Sequence, residues 1–259
     1  MHAPALRSLE YWAYRYKRTW RGSLVSSVLQ PVLFLAAMGV GLGSLVNRGA
    51  PGRTNLGGVS YLVFLAPALM AATAMQTAVL EASWPVMAAI KWLRTYDAML
   101  ATPLRVADVA LGHLAWIAVR VVTACTVFMA VMLVFGAVKS PEGILLVPAA
   151  ALTGLAFAAP TAAYAATLER DTGLSALFRF GVVPMFLFSG TFFPVSQLPA
   201  AVRPVAYLTP LWHGVDLCRH LALGQASFLG SLGHVAYLGL WFVGGCLIAL
   251  TTYRRRLVR

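Results

Sequence analysis

Three kinds of side chain in this 259-residue chain could do chemistry: eight carboxylates, five histidines and three cysteines. The carboxylates are Glu10, Glu81, Asp97, Asp108, Glu142, Glu169, Asp171 and Asp216. Acids strung through apolar runs would relay protons. Here each acid stands at or beyond the end of such a run, so self-powered ion-coupled transport is disfavoured. The histidines are scattered and form no His-Glu-x-x-His, so no metal site is predicted. Cys125, Cys218 and Cys246 form no Cys-x-x-Cys unit, and Cys125 and Cys246 lie in apolar runs where a thiol acts as a small hydrophobe. Of the three lysines only Lys139 precedes a Ser or Thr, and no glycine stands before it. There is therefore no phosphate-binding Gly-x-x-x-x-Gly-Lys-[Ser/Thr] loop, and no Gly-x-Ser-x-Gly nucleophile turn. No catalytic residue and no cofactor of its own are predicted for this chain.

The elements that carry these residues follow from composition. The chain is 60% hydrophobic and 11% charged, against about 45–50% and about 25% for a soluble domain. Too few charges remain to coat a soluble surface, and the net charge of +12 reads as an orientation signal rather than a nucleic-acid footprint. A bilayer core needs about 20 apolar helical residues. Six spans are predicted, at about 24–46, 56–80, 109–138, 143–168, 174–193 and 227–253. Their hydrophobicity is continuous rather than alternating, which favours helices over barrel strands. The first run is too long for a signal h-region and is read as a retained helix. The expected fold is an all-α integral membrane protein of six transmembrane helices, within residues 23–253, ending in a basic tail at 254–259.

Charge sets the orientation. Of the 20 basic residues, Arg48, Arg53, Lys139, Arg203 and Arg219 fall in outer pieces, and Arg120 and Arg179 fall in spans. The other thirteen lie on the side of the two termini, so both termini are expected in the cytoplasm. At about 100° per residue, Leu6, Leu9, Trp12, Ala13, Tyr16 and Trp20 share one arc of residues 1–22. Arg7, Glu10, Arg15, Lys17, Arg18 and Arg21 fall opposite. The expectation is an amphipathic interface helix with aromatics at headgroup depth. It serves as a topogenic anchor or also touches a cytoplasmic partner.

Three regions stand out. The cytoplasmic segment 84–105 holds Ile90, Lys91, Trp92, Leu93, Arg94, Thr95, Tyr96, Asp97, Ala98, Met99 and Leu100 between Pro85 and Pro103. It reads as a short helix, fit to dock on a partner groove or to lie on headgroups. The stretch 189–224 is too interrupted by proline for a span and too apolar for a free loop, so a re-entrant pair of half-helices is expected. Gly190, Phe193 and Pro194 would belong to a lid over an exit path. Arg120 lies well inside its span, where an arginine costs about 2.5–3.5 kcal/mol on insertion scales. It is expected to face a cavity, either with an anionic-substrate or gating role or in a structural pairing. Arg179 is expected to snorkel.

Four stretches carry a family resemblance. They are Ala151-Leu152-Thr153-Gly154-Leu155-Ala156-Phe157-Ala158, Phe188-Ser189-Gly190-Thr191-Phe192-Phe193-Pro194-Val195-Ser196-Gln197-Leu198-Pro199, Thr209-Pro210-Leu211-Trp212-His213-Gly214-Val215-Asp216-Leu217-Cys218-Arg219, and Arg254-Arg255-Arg256-Leu257. Across nearly its whole length the chain resembles the membrane subunits of type-2 ABC exporters. Among these it is most like the permeases that export nodulation lipo-oligosaccharides, with the daunorubicin-type drug-exporter permeases as relatives.

The resemblance implies six helices, an N-terminal interface helix (Leu9, Trp12, Arg15, Tyr16, Trp20) and re-entrant helices before the last span. It implies two membrane subunits, identical or paralogous, and two cytoplasmic ATPase subunits that hold ATP and Mg. It makes 90–100 a coupling helix, with Ile90, Lys91, Leu93, Arg94, Thr95, Tyr96, Asp97, Met99 and Leu100 facing the ATPase. Glu169, Arg170 and Asp171 become a second contact. The expected substrate is an amphiphile (lipid, lipo-oligosaccharide or hydrophobic drug) exported across the bacterial plasma membrane. The competing readings are an ion-coupled carrier or passive channel, which would work without an ATPase, and a membrane-embedded transferase, which would need a polar catalytic cluster not found here.

Overall fold

Apolar length decides most of the architecture. The computed structural model describes residues 4–18, 20–46 and 58–258. Arg48, Arg53 and Arg259, and residues 56–57 of the second expected span, lie outside them. The first helix, α1 (Pro4–Tyr16), ends before a turn at Lys17–Arg18. Trp20, expected on the α1 face, instead begins α2 (Trp20–Phe34), because the turn separates it from the arc it would share. Past Pro31 the chain widens into π-helical turns, Leu35–Leu42, and ends in α3 (Gly43–Val46). Proline and small residues are where a helical ladder most readily departs from regular geometry.

The central helix is α4 (Tyr61–Ala82), buried along most of its length. Ala66, Ala68, Ala71, Ala72, Ala74 and Ala78 line it and let neighbouring backbones close in. Two short helices follow, α5 (Trp84–Lys91) and α6 (Thr95–Leu100), and then the long α7 (Val106–Val134). A 3₁₀ turn, Pro141–Leu145, leads into the alanine-rich α8 (Leu146–Thr167). α8 packs against α4 on one side and against the last helix, α13 (Phe228–Leu257), on the other. Pro67 and Pro160 sit inside helices that run on through them.

Among the described residues, five helical stretches are long and apolar enough to cross a bilayer: Leu29–Val46, Tyr61–Lys91, Val106–Val134, Pro141–Thr167 and Phe228–Leu257. The sequence expectation of a span at 174–193 meets a shorter apolar helix, Thr172–Phe188. It comprises α9 (Thr172–Leu177), a π turn (Phe178–Val182) that leaves Arg179 exposed, and α10 (Val183–Phe188). It stops where Gly190 turns the chain at φ 82, a conformation that costs glycine nothing and other residues dearly. After it come a 3₁₀ turn (Val195–Gln197), α11 (Arg203–Leu208) and α12 (Pro210–Leu223). Pro210 opens α12 beneath the side-chain cap of Thr209, and Gly224 closes it in left-handed conformation.

Candidate functional site

The segment expected to be one coupling helix is two, because the chain turns a left-handed corner at Arg94 (φ 49), the only such non-glycine residue among those described. The corner turns Trp92, Leu93 and Arg94 outward, and Asp97 is exposed beside them. The Arg94 guanidinium lies 3.2 Å from Asp97 Oδ2. Thr95 and Tyr96 turn the other way. Tyr96 is 0% exposed, so it anchors the segment rather than presenting a surface to a partner. Its hydroxyl is 2.5 Å from His113 Nδ1 on α7, and its ring packs on Tyr253 of α13 at 5.6 Å. His113 stacks in turn on Trp12 of α1 at 3.9 Å. A buried column of four rings thus ties α13, α6, α7 and α1 together. Ile90, Met99 and Leu100 are half-buried against the same core.

Beside the corner lies a cavity of about 460 Å³ lined by Ile90, Lys91, Arg94, Asp97, Glu169, Arg256 and Leu257. Glu169, in the loop after α8, is its hub. Its carboxylate pairs with Lys91 Nζ at 3.3 Å and with Arg256, and Lys91 also donates to its backbone carbonyl. Hydrogen bonds from Arg256 first, then from Lys91, hold the Glu169 carboxyl down at about 2. It therefore stays anionic at any physiological pH. Arg170 and Asp171 are exposed and line no part of this cavity. Arg256 was read from sequence only as part of a basic tail. Its place in α13, a helix that reaches back to the loop, is what brings it to Glu169.

A second cavity, of about 400 Å³, lies between α1, α4 and α7. α1 sits directly on α7 at Gly112. A Cβ there would fall 2.5 Å from Ser8 Cβ and 2.6 Å from the Ala5 carbonyl. Ser8 Oγ donates to the Val109 carbonyl at 3.3 Å. Through this contact two of the α1 aromatics face α7. Trp12 is 4% exposed against His113, and Tyr16 packs on Trp116 at 5.5 Å. Leu9 is half-buried and Arg15 exposed. Arg120 Nε donates to Glu81 Oε1 at 3.0 Å, and its guanidinium lies 4.2 Å from the centre of the Tyr16 ring. Glu81, placed by sequence at a span end, is inside a helical stretch that continues to Lys91. Of the two sequence alternatives for Arg120, a structural pairing is thus present.

At the other end of α4 the contacts are of a different kind. Arg219 Nη2 donates to the Gly190 carbonyl at 2.8 Å and its Nε to the Phe64 carbonyl at 3.3 Å, with the guanidinium 3.8 Å from the Phe64 ring centre. Tyr61 donates to the Phe192 carbonyl at 3.2 Å. Phe193 packs with Val195, Leu198, Ala206 and Trp212 in a small core of its own, and Pro194 is half-buried. Asp216 bridges His220 and His234, each at 3.2 Å, and His213 and His234 face each other at 2.9 Å. Among the described residues no group of three such side chains has the arrangement of a metal site.

The family pattern of the ABC-2 type transporter matches residues 10–223. The chain belongs to the ABC-2 type transporter family. Three proteins named nodulation protein J are similar to it over most of their length. That of Rhizobium leguminosarum bv. viciae is 32% identical over 260 residues, covering 99% of this chain and 97% of that protein. That of Neorhizobium galegae is 32% identical over 244 residues, covering 94% and 90%. That of Azorhizobium caulinodans is 25% identical over 222 residues, covering 85% and 84%. This ABC-2 permease is accordingly a multi-pass, all-α integral membrane protein and a membrane subunit. The matched stretch takes in α6, the loop at Glu169 and the segment around Gly190. It ends at Leu223, so Tyr253 and Arg256 of α13 lie beyond it.

Proposed function

We propose that this permease is the membrane half of an ATP-driven exporter whose power comes from a separate cytoplasmic ATPase docking at the Glu169 cavity. ATP and Mg belong to that partner, in two copies, and a second permease copy, identical or paralogous, completes the path. The termini and the α5–α6 segment face the cytoplasm of a bacterial inner membrane. The cargo is an amphiphile. The nodulation protein J relatives favour a lipo-oligosaccharide over a drug. The segment around Gly190, Phe193 and Pro194 closes the outer end of the path.

One observation carries this reading: exposed charges at the Arg94 corner stand over a buried column of rings that reaches α1, α7 and α13. A push on α6 is therefore a push on three other helices at once. Close-packed interiors transmit such displacement because they deform little. Coupling then requires that the ATP-bound partner prefer one arrangement of the helices over the other.

The test is charge reversal at the docking face. Asp97→Lys combined with Glu169→Lys should lower substrate-stimulated ATPase activity of the purified complex at least tenfold. Insertion of the permease should be unchanged and its thermal stability only slightly lowered, because the broken pairs involve exposed carboxylates. Full stimulation in that variant would remove the docking assignment. Transport by the permease without any ATPase would favour the channel or carrier alternative.

A further inference from the structure

We propose that the 400 Å³ cavity between α1, α4 and α7 binds the phosphate head of an amphiphile. Its walls carry two guanidiniums, Arg15 and Arg120, against one carboxylate, Glu81, so the lining is net positive. Each guanidinium is held on an aromatic face before any ligand arrives. Arg15 lies 5.5 Å from the Trp12 ring centre and Arg120 4.2 Å from that of Tyr16, with Nε of Arg120 tied to Glu81. Planar, weakly hydrated guanidiniums fixed in this way suit a phosphate, and the prior ordering lowers the cost of binding.

The geometry argues against a sugar ring. Trp12 and Trp116 are 4% and 6% exposed, so neither offers an open indole face for stacking. It argues equally against a cation, since the one carboxylate is already engaged by Arg120. The volume falls in the range of ligand cavities, about 300–1,000 Å³. The apolar part of the wall, Trp116 and Pro85, and the amphipathic α1 that roofs it favour a lipid-borne phosphate over a free one. The exposed Arg15 and the largely buried Arg120, whose side chain is 12% exposed, mark a path from surface to interior. The inference rests on α1 lying at a membrane surface and not on the ATPase partner.

The test uses the full-length permease in phosphatidylcholine nanodiscs doped with spin-labelled phosphatidic acid, reading the motionally restricted fraction by electron paramagnetic resonance. Arg15→Gln should weaken that association about tenfold. Lys17→Gln with Arg18→Gln, which remove exposed charge just past α1 at two residues that do not line the cavity, should leave it within about twofold. The pair exchange Glu81→Gln with Arg120→Gln avoids stranding a lone carboxylate and should also weaken binding. Equal loss in the Lys17/Arg18 variant would mean non-specific attraction of the basic helix and would overturn the site. Competition by inorganic phosphate as effective as that by unlabelled phosphatidic acid would overturn the amphiphile. Because neither ATP nor transport enters the readout, failure here leaves the exporter reading standing.

Discussion

The two ends of α4, about 33 Å apart at 1.5 Å per residue over 22 residues, are held by different chemistry. At the Glu81 end the ties are mostly side chain to side chain: Glu81 with Arg120, Tyr96 with His113, Glu169 with Lys91 and Arg256. Several of these partners are exposed around cavities. At the Tyr61 end a cluster of Asp216, His213, His220 and His234 is joined side chain to side chain, but the longest-range ties run from side chain to backbone. Arg219 holds the Gly190 and Phe64 carbonyls, Tyr61 the Phe192 carbonyl, Arg203 Nε the Leu198 carbonyl and Tyr237 the Leu208 carbonyl. A backbone carbonyl is fixed in place by the chain, whereas the side chains of an exposed ion pair exchange readily with water. At the first end the exposed pairs of Glu169 and of Arg94 with Asp97 are therefore the contacts open to trade, whereas the backbone anchors of the second are kept.

The largest effect should come from cutting a backbone anchor. Arg219→Leu takes the donor from the Gly190 carbonyl, at about 1–3 kcal/mol, and removes a further contact to the Phe64 carbonyl and ring. A fall in thermal stability of the detergent-solubilised permease should follow, with new protease sensitivity around Gly190. A neutral result would erase the difference between the two ends. Next, Gly112→Ala forces a methyl group into Ser8 and Ala5. The overpacking costs about 1–3 kcal/mol, and trypsin should then cut faster at Lys17 and Arg18. Unchanged cleavage would show that α1 is not seated on α7.

Tyr96→Phe should cost about 1–3 kcal/mol, because it strands the buried His113 Nδ1. It should also lower substrate-stimulated ATPase activity while the partner still binds. A loss of binding instead would make Tyr96 a surface contact and contradict its burial. The smallest effect on stability belongs to Glu169→Gln, whose pairs are solvent-exposed. Its carboxyl is held below its ordinary value, so its contribution is complete above about pH 4.5 and fades as pH falls toward about 2. ATPase stimulation should therefore show no titration from Glu169 between pH 5 and pH 8, on the order of the ordinary carboxylate range and above. A midpoint there that vanishes in Glu169→Gln would contradict the pairing.

Much of this was readable from residues alone, for physical reasons that also explain the gaps. Continuous apolar runs located the five long helices because a bilayer tolerates little else. The periodicity of residues 1–22 put Leu9, Trp12, Ala13 and Tyr16 on the face of α1 that packs inward, though not Leu6 or Trp20, which are exposed. Lys91, Arg94, Asp97 and Glu169 were singled out, and the structure gathers them around one cavity. Arg256 escaped because its partner lies 87 residues away, and nothing local in Arg254-Arg255-Arg256 marks one arginine over its neighbours. The burial of Tyr96 escaped because a six-residue helix holds too few turns to fix which face is inward. The Glu81–Arg120 pair depends on the relative register of α4 and α7, which no single apolar run encodes. The expected span at 174–193 shrank because a glycine in left-handed conformation cut it short. Carbonyl-directed anchors such as Arg219 leave no sequence partner to find.

The central claim is that this permease moves cargo only when a separate ATPase drives it from the charged end. Reconstitution into sealed proteoliposomes, with and without that ATPase, with a fluorescent lipo-oligosaccharide as cargo, tests it most directly. Transport should need both proteins and ATP, and should stop when either protein or the nucleotide is left out. Equal movement of cargo by the permease alone would contradict the account.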